Sequence, residues 1–367
     1  MMNSTYDSYW AEYDGLQKAK HQLLRHYLGG WFPILASWQG RVIYLDCHAG
    51  RGKHDTGHEG SPILALKILL DHSHRDRILN DTEVRFIFFE KDQTNFDLLC
   101  EEIKTMGVLP PNVVIDPYMS DFEKELRKII DNLHMRNENL APSLAFVDPF
   151  GFSLSMNLLN DLLEFQCCEL LVNFMYRFVD MAIHQPSQEK IMDNLFGCKS
   201  WRDLSLIEDS EQRALDTINL FSNQLNTKYA TFMYMKGANN LLKYALIHVT
   251  NHSRGREKMK EALWRVTPDG SFTAYEKDSP FQPALISVDP DLEPLKNDLW
   301  ATFKGKKTQY STIRNWLVDT LYLPKYLHQI LRGYRNTGII PATGYGEKFA
   351  FKNDPLFEFP NNRADVS

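Results

Sequence analysis

The chain has 367 residues, 43% of them hydrophobic and 24% charged, with a formal net charge of −6. That is room for one large domain plus a smaller one of ordinary globular composition, and the acidity excludes a uniformly basic surface, so any contact with nucleic acid has to come from local patches. No run of 18 or more apolar residues occurs, so no membrane span is implied.

Met1 to Trp10 is polar and aromatic and lacks the basic-then-apolar pattern of a signal peptide. Lys18 to Leu35 carries a helical pattern with Leu23, Leu24, Tyr27, Leu28 and Trp31 on its apolar face. Arg41 to Asp46 is a short apolar run that meets a glycine-rich loop, the pattern of a buried strand. Ser61-Pro62 opens a helix through Leu70, with serine expected at the N-cap and proline at the first helical position. Strands are then expected at Val84 to Glu90, Asn112 to Ile115, Leu144 to Asp148 and Glu169 to Phe174. Helices are expected between them at Thr94 to Met106, Phe122 to Leu133 and Met156 to Phe165. Strands that alternate with helices and are apolar almost throughout predict an α/β fold: a doubly wound, mostly parallel sheet covered on both faces. Residues 186–230 read as a helical insertion or lid, Tyr244 to Val249 as a late strand, and Met259 to Trp264 as a helix after it. The α/β domain is expected to span 1–285.

Residues 292–352 differ in character. Leu292 to Phe303, Gln309 to Asp319 and Pro324 to Arg335 predict three short helices, and Gly338 to Ile340 with Thr343 to Phe351 a small hairpin. Together they suggest a winged-helix-like domain, followed by a tail at 353–367.

The densest signal is Tyr44-Leu-Asp-Cys-His-Ala-Gly-Arg-Gly52, a strand that ends in Asp46 and runs into a loop with Gly50 and Gly52. Glycine lets a backbone approach a ligand closely, and in open parallel sheets ligands lie beyond the carboxyl ends of the strands. Glu90 ends the second strand, where a carboxylate can accept both hydroxyls of a ribose. Asp121 follows the third strand, where a polar side chain can meet adenine. Asp148-Pro-Phe-Gly151 ends the fourth. The first loop is not GxGxxG, no helix follows it directly to receive a pyrophosphate, and there is no GxxxxGK[ST] loop. An adenosyl ligand without phosphates suits this set, and the expected cofactor is S-adenosyl-L-methionine, held by Asp46, His48, Ala49, Gly50, Gly52, Glu90 and Asp121.

With these pieces in place the chain resembles the three-Cys-motif partner protein (TcmP) family across nearly its whole length. The likeness is carried by Tyr44 to Gly52, Gly60-Ser-Pro62, Phe88-Phe-Glu-Lys-Asp92, Val147-Asp-Pro-Phe-Gly-Phe152, Leu171-Val-Asn-Phe-Met175, His248-Val-Thr-Asn-His252 and Met259-Lys-Glu-Ala-Leu-Trp264. The resemblance implies a class I methyltransferase fold and a protein partner carrying three cysteines. A second likeness is local. His48 to Gly52 with Gly60-Ser-Pro62 is similar to the first motif of a bacterial ribosomal-RNA adenine methyltransferase family. Asp148-Pro-Phe-Gly151 is similar to the [DN]PP[YF] motif of amino-methylating enzymes, in which an acid or amide and a backbone carbonyl accept hydrogen bonds from the target amine and an aromatic ring stacks on the extruded base. Here Phe150 stands where the second proline would be and Gly151 replaces the aromatic. On this basis Asp148, Pro149 and Phe150 are the expected catalytic, acceptor-side residues.

Cys47, Cys100, Cys167, Cys168 and Cys198 form no CxxC pair and no zinc spacing, which points to reduced thiols and a cytoplasmic location. His248, Asn251 and His252 lie close together without a third ligand and read as structural or capping residues rather than a metal site. Arg254, Arg256, Lys258, Lys260 and Arg265 form either a basic rim or a solvated helix face. Between Lys304 and Arg335 basic residues outnumber the lone acid, Asp319, and tyrosines are interleaved. Lys325, Arg332 and Arg335 on the last helix are the expected nucleic-acid contacts, with docking of a protein as the alternative. Three functional readings stand at this level: methyl transfer to a nucleic-acid base, a non-catalytic scaffold subunit for a three-Cys-motif partner, and methyl transfer to a protein or small molecule.

Overall fold

The computed structural model describes residues 10–11, 13–38, 40–276 and 289–361. They divide into two compact units, one holding the described residues up to Thr267 and from Ser271 to 276, the other Pro268–Gly270 and the described residues from 289 onward. The limit expected near residue 285 and the last part of the expected tail, 362–367, lie outside the described residues.

The first unit begins with α1 (Gly15–Leu35), whose N-cap Asp14 accepts a hydrogen bond from the Gln17 amide at 2.7 Å. Leu16, Ala19, Lys20, Leu23, Leu24, Tyr27, Leu28 and Trp31 recur every three or four residues and are all buried. Then follow β1 (Gly40–Asp46), α2 (Ser61–Leu70), α3 (Arg75–Leu79), β2 (Thr82–Glu90), α4 (Gln93–Thr105), β3 (Val113–Met119), α5 (Phe122–Arg136), β4 (Ser143–Val147), α6 (Met156–Leu163) and β5 (Cys168–Phe174). After them come α7 (Tyr176–Ala182), α8 (Glu189–Phe196), α9 (Ser210–Asn223), β6 (Tyr229–Lys236), β7 (Leu242–Thr250), α10 (Ser253–Val266) and β8 (Thr273–Tyr275). The sheet order is β3-β2-β1-β4-β5-β7-β6-β8. β1 to β5 are parallel, and β7 runs antiparallel to both β5 and β6. This is the doubly wound, mostly parallel, Rossmann-like sheet that the alternation of elements predicts. Its order reverses between β1 and β4, and a crevice for ligands opens beyond the carboxyl ends of strands at such a point.

Several expectations change. Gly60, not Ser61, is the N-cap of α2, and Ser61 is already helical. β3 continues past Ile115 to Met119 in spite of Pro117, because it is an edge strand that pairs with β2 alone and the proline removes no ladder bond on a second side. The stretch 186–230 holds α8, α9 and the 3-10 turn Ser200–Leu206, but its end is already β6, which alternates buried and half-buried side chains and pairs along β7. The basic rim does not form as a set: Arg256 and Lys260 are buried.

The second unit runs α11 (Glu293–Phe303), β9 (Lys307–Gln309), α12 (Tyr310–Leu317), α13 (Pro324–Asn336), β10 (Ala342–Thr343) and β11 (Leu356–Glu358). The expected hairpin is absent. β10 instead pairs with β11, which pairs on its other side with β9, and β11 falls in the stretch expected to be a tail. Residues between Gly344 and Ala350 leave the ladder because Gly344 and Gly346 adopt left-handed φ of 74° and 73°. The aromatics in and just after that loop pack on α13 instead: Phe349 lies 4.3 Å from the Arg335 guanidinium, and Phe351 stacks on His328 at 4.0 Å between ring centroids.

Candidate functional site

The carboxyl ends of β1, β2, β4 and β5 gather the chemistry. Beyond β1, Gly50 and Gly52 take left-handed φ of 62° and 77°. Both conformations are needed, and both positions are tight: a Cβ on Gly52 would lie 3.0 Å from Leu99 Cδ1, and one on Gly50 would lie 2.4 Å from the Trp10 ring. Glu90 at the end of β2 braces this loop. Its Oε2 accepts from the Gly50 amide at 2.8 Å and its Oε1 from the Asp92 amide at 2.7 Å. Burial raises its pKa, and the two amides oppose that shift. The loop closes where the Gly60 amide donates to Gly52 O at 2.8 Å, just before α2.

Asp46 is fully buried. Tyr44 Oη donates to its Oδ2 and the His48 amide to its Oδ1, both at 3.3 Å. Burial pushes its pKa up to about 7, and the neighbouring Asp148 pushes the same way. Asp148 behaves in the opposite manner. Burial would raise its pKa, but the Lys20 ammonium 2.5 Å from Oδ2 and the Asn173 amide 2.5 Å from Oδ1 outweigh that and hold it below the ordinary aspartate range. Two neighbouring carboxyl groups are thus pushed apart in acidity. The parallel register that pairs Val147 with Val172 brings Asn173 beside Asp148.

Three polar atoms are shielded from solvent and lack a hydrogen-bond partner among the described residues: Asn173 Oδ1 and His48 Nδ1 beside Asp148, and Gln17 Oε1 on α1. Gln17 lies three residues before Lys20, on the same face of α1. Burial lowers the pKa of His48 to about 4, so its imidazole is neutral at pH 7. The segment before α1 covers the loop. Trp10 is buried, the Arg51 guanidinium lies 4.8 Å from its ring centroid, and Tyr13 stacks on His58 at 4.1 Å.

The site therefore brings together Asp46, His48, Ala49, Gly50, Gly52, Glu90 and Asp148. Pro149 is buried beside them, and Phe150 is 47% exposed with its ring centroid 6.2 Å from that of Phe178. Asp121 lies near enough to His48 to oppose the lowering of its pKa, while its exposed carboxylate caps α5 by accepting from the Glu123 and Lys124 amides. Three contributors were not singled out by sequence. Lys20 carried a signal, a lysine in the middle of an apolar helical face. Asn173 carried another, a polar residue closing an otherwise apolar strand. Trp10 carried none, since its contact is made by the fold.

At the other end of the sheet, His248 is 3.1 Å from Tyr27 Oη and 3.2 Å from Glu169 Oε2, all three buried, and Tyr27 donates to Glu169. His248 is thus part of a buried polar cluster, through its Nε2. In the second unit, Lys325 and Arg332 are exposed, their cationic groups 4.7 Å and 5.4 Å from the ring centroids of Tyr326 and Phe351. Arg335 lies 4.3 Å from the Phe349 centroid and donates to Asn336 Oδ1 at 2.7 Å. Among the described residues no helix is long and apolar enough to cross a membrane.

No protein-family model matches the chain, and a search of curated proteins finds no match. Among solved structures the chain is similar to Trm1 from Pyrococcus horikoshii in complex with S-adenosyl-L-methionine, at 12% identity over 92% of this chain and 90% of that one, TM-score 0.35. It is similar to the methyltransferase domain of bacterial CtHen1, at 14% identity over 62% and 99%, TM-score 0.31. It is also similar to the cyclopropane synthase MmaA2 from Mycobacterium tuberculosis, at 12% identity over 68% and 69%, TM-score 0.26.

Proposed function

We propose that this chain is an S-adenosyl-L-methionine-dependent methyltransferase of the class I fold, acting on a nucleic-acid base. The observation that carries the reading is the left-handed glycine loop Gly50–Gly52, braced by Glu90 and set beside two carboxyl groups of opposed acidity at the point where the sheet order reverses. The residues fit the cofactor: Glu90 sits where ribose hydroxyls would meet a carboxylate, and the shielded atoms of Gln17 and His48 supply hydrogen-bonding capacity that the protein leaves unused. When bound, the cofactor supplies an electrophilic methyl group on a sulfonium. The protein's part is to orient the acceptor in line with that group and to exclude water, which is worth much of the rate gain in such displacements. The second unit supports a nucleic-acid target through the exposed cations of α13, and its order of helices and short strands suits a winged helix. A cytoplasmic setting and a three-cysteine partner protein belong to the same proposal.

A scaffold role is the competing reading. It is favoured by the internal partners that both oxygens of Glu90 and of Asp148 already have and by the Trp10 ring packed on Gly50. Calorimetry with S-adenosyl-L-methionine separates the two. The methyltransferase reading expects binding to the wild-type protein and a severe loss in Glu90→Ala, then label transfer from methyl-tritiated cofactor to an RNA or DNA fraction. Absence of cofactor binding by the wild-type chain sinks it and promotes the scaffold.

A further inference from the structure

We infer that Asn173, rather than Asp148, recognises the methyl acceptor, and that the group it recognises is the N–H of a planar aromatic amine. The inference rests on the cofactor reading above but concerns a different moiety. Asp148 is the residue that a comparison with amino-methylating motifs singles out, yet its oxygens are engaged. Lys20 Nζ lies 2.5 Å from Oδ2, and Asn173 Nδ2 lies 2.5 Å from Oδ1. Lys20 is 3% exposed, so this ion pair is shielded and persistent.

The carboxylate in turn fixes the Asn173 amide. An ionised carboxylate accepts only, so the amide must present its NH2 to Asp148, and the orientation of nitrogen and oxygen is settled by chemistry. That leaves Asn173 Oδ1, in a residue 4% exposed, as a buried acceptor with no partner among the described residues. Buried acceptors are rarely left unpaired, because the desolvation cost is not recovered. A ligand that brings an N–H donor to the carboxyl end of β5 recovers it. Phe150, two residues beyond Asp148, exposes an aromatic ring whose centroid lies 6.2 Å from that of Phe178, and an exposed aromatic surface favours a flat ring. Asp148 and Lys20 are then positioning residues: they hold the Asn173 amide by its nitrogen and leave its oxygen unpaired.

The test measures binding, not turnover. The protein is saturated with S-adenosylhomocysteine to fill the cofactor site, and adenosine is titrated against N6,N6-dimethyladenosine, which keeps the ring but lacks the donor, with affinity read by ligand-observed NMR. The expectation is about tenfold tighter binding of adenosine, the value of one neutral hydrogen bond. That difference should vanish in Asn173→Leu while S-adenosylhomocysteine affinity, measured by calorimetry, is kept. Equal affinity of the two nucleosides for the wild-type protein, failure of both to bind, or discrimination that survives in Asn173→Leu overturns the assignment. The wild-type comparison needs no variant, so it decides even if Asn173→Leu does not fold. If S-adenosylhomocysteine itself fails to bind the wild-type protein, the cofactor reading falls first and the acceptor assignment with it. Loss of nucleoside discrimination alone leaves the cofactor reading standing.

Discussion

Lys20 and Asp148, 128 residues apart in the chain, meet at 2.5 Å and join the first helix to the end of the fourth strand. With side chains 3% and 14% exposed, neither charge is well solvated without the other. Lys20→Met should therefore cost about 3 kcal/mol or more, as removal of one member of a buried pair does. Lys20→Met combined with Asp148→Asn should cost less than the two changes added together. Because Asp148 titrates below the ordinary aspartate range, its contribution is present at neutral pH and lost as the pH falls through that depressed value. Urea denaturation of the four proteins of this cycle at pH 7 and at acid pH checks both statements. Additive losses at pH 7 would show that the pair is not coupled.

Asp46 has the opposite linkage. Its pKa is raised from 3.8 to about 7 by burial, so the folded state takes up a proton that the unfolded chain has lost. The associated stability is full below about pH 4, declines as the pH rises, and is gone above about pH 7. Asp46→Asn should flatten this decline and exceed the wild-type protein in stability at pH 8 by on the order of 3–4 kcal/mol. Denaturation midpoints between pH 5 and 8 measure the slope.

If a cationic cofactor binds beside Asp46, the carboxylate form is favoured and a proton leaves on binding. Calorimetry near pH 7 in two buffers of different ionisation enthalpy should show that release, and Asp46→Asn should abolish it. An unchanged proton count in the variant would place the released proton elsewhere.

Gly50→Ala meets two obstacles, the left-handed backbone and the Trp10 ring 2.4 Å from the new methyl. The backbone alone costs about 1–2 kcal/mol. Trp10→Ala in the same protein should relieve the clash but not the backbone strain, so stability should recover in part. Complete recovery would mean that the φ of Gly50 is not held by the fold.

The basic residues of α13 should separate by their packing. Lys325→Ala and Arg332→Ala should leave the melting temperature nearly unchanged and flatten the salt dependence of RNA or DNA binding, by up to about 0.9 in log–log slope for each duplex-DNA phosphate that is no longer neutralised. Arg335→Ala should lower the melting temperature as well, because Arg335 is half-buried against Phe349 where the other two side chains are exposed. Fluorescence anisotropy across a salt series reads the first effect. If neither polymer binds at low salt, the cations of this helix serve some other partner.

Much of the first unit was legible because buried parallel strands carry unbroken apolar runs: β1, β2, β4 and β5 all fell where composition placed them. β6 was not, since an edge-proximal strand with half-buried alternate positions resembles the helical stretch before it. The hairpin failed for a related reason. Tyr345, Phe349 and Phe351 have strand propensity, but the glycines between turn the chain and the rings find α13 instead. In the site, the glycine loop and the strand-end acids are local features and could be read. The partners of Asp148 arrive from α1 and β5, and no local window contains them.

α1 touches both ends of the sheet, through Lys20 at Asp148 and through Tyr27 at Glu169 and His248. A fragment cut to begin at β1 would keep every strand and every glycine of the loop. It would also take Lys20 from Asp148 and Tyr27 from Glu169, at opposite ends of two neighbouring strands. Trimming the molecule to its recognisable motifs therefore removes the polar partners on which their arrangement depends, and expression of the intact N-terminal helix is a condition for any assay of the site.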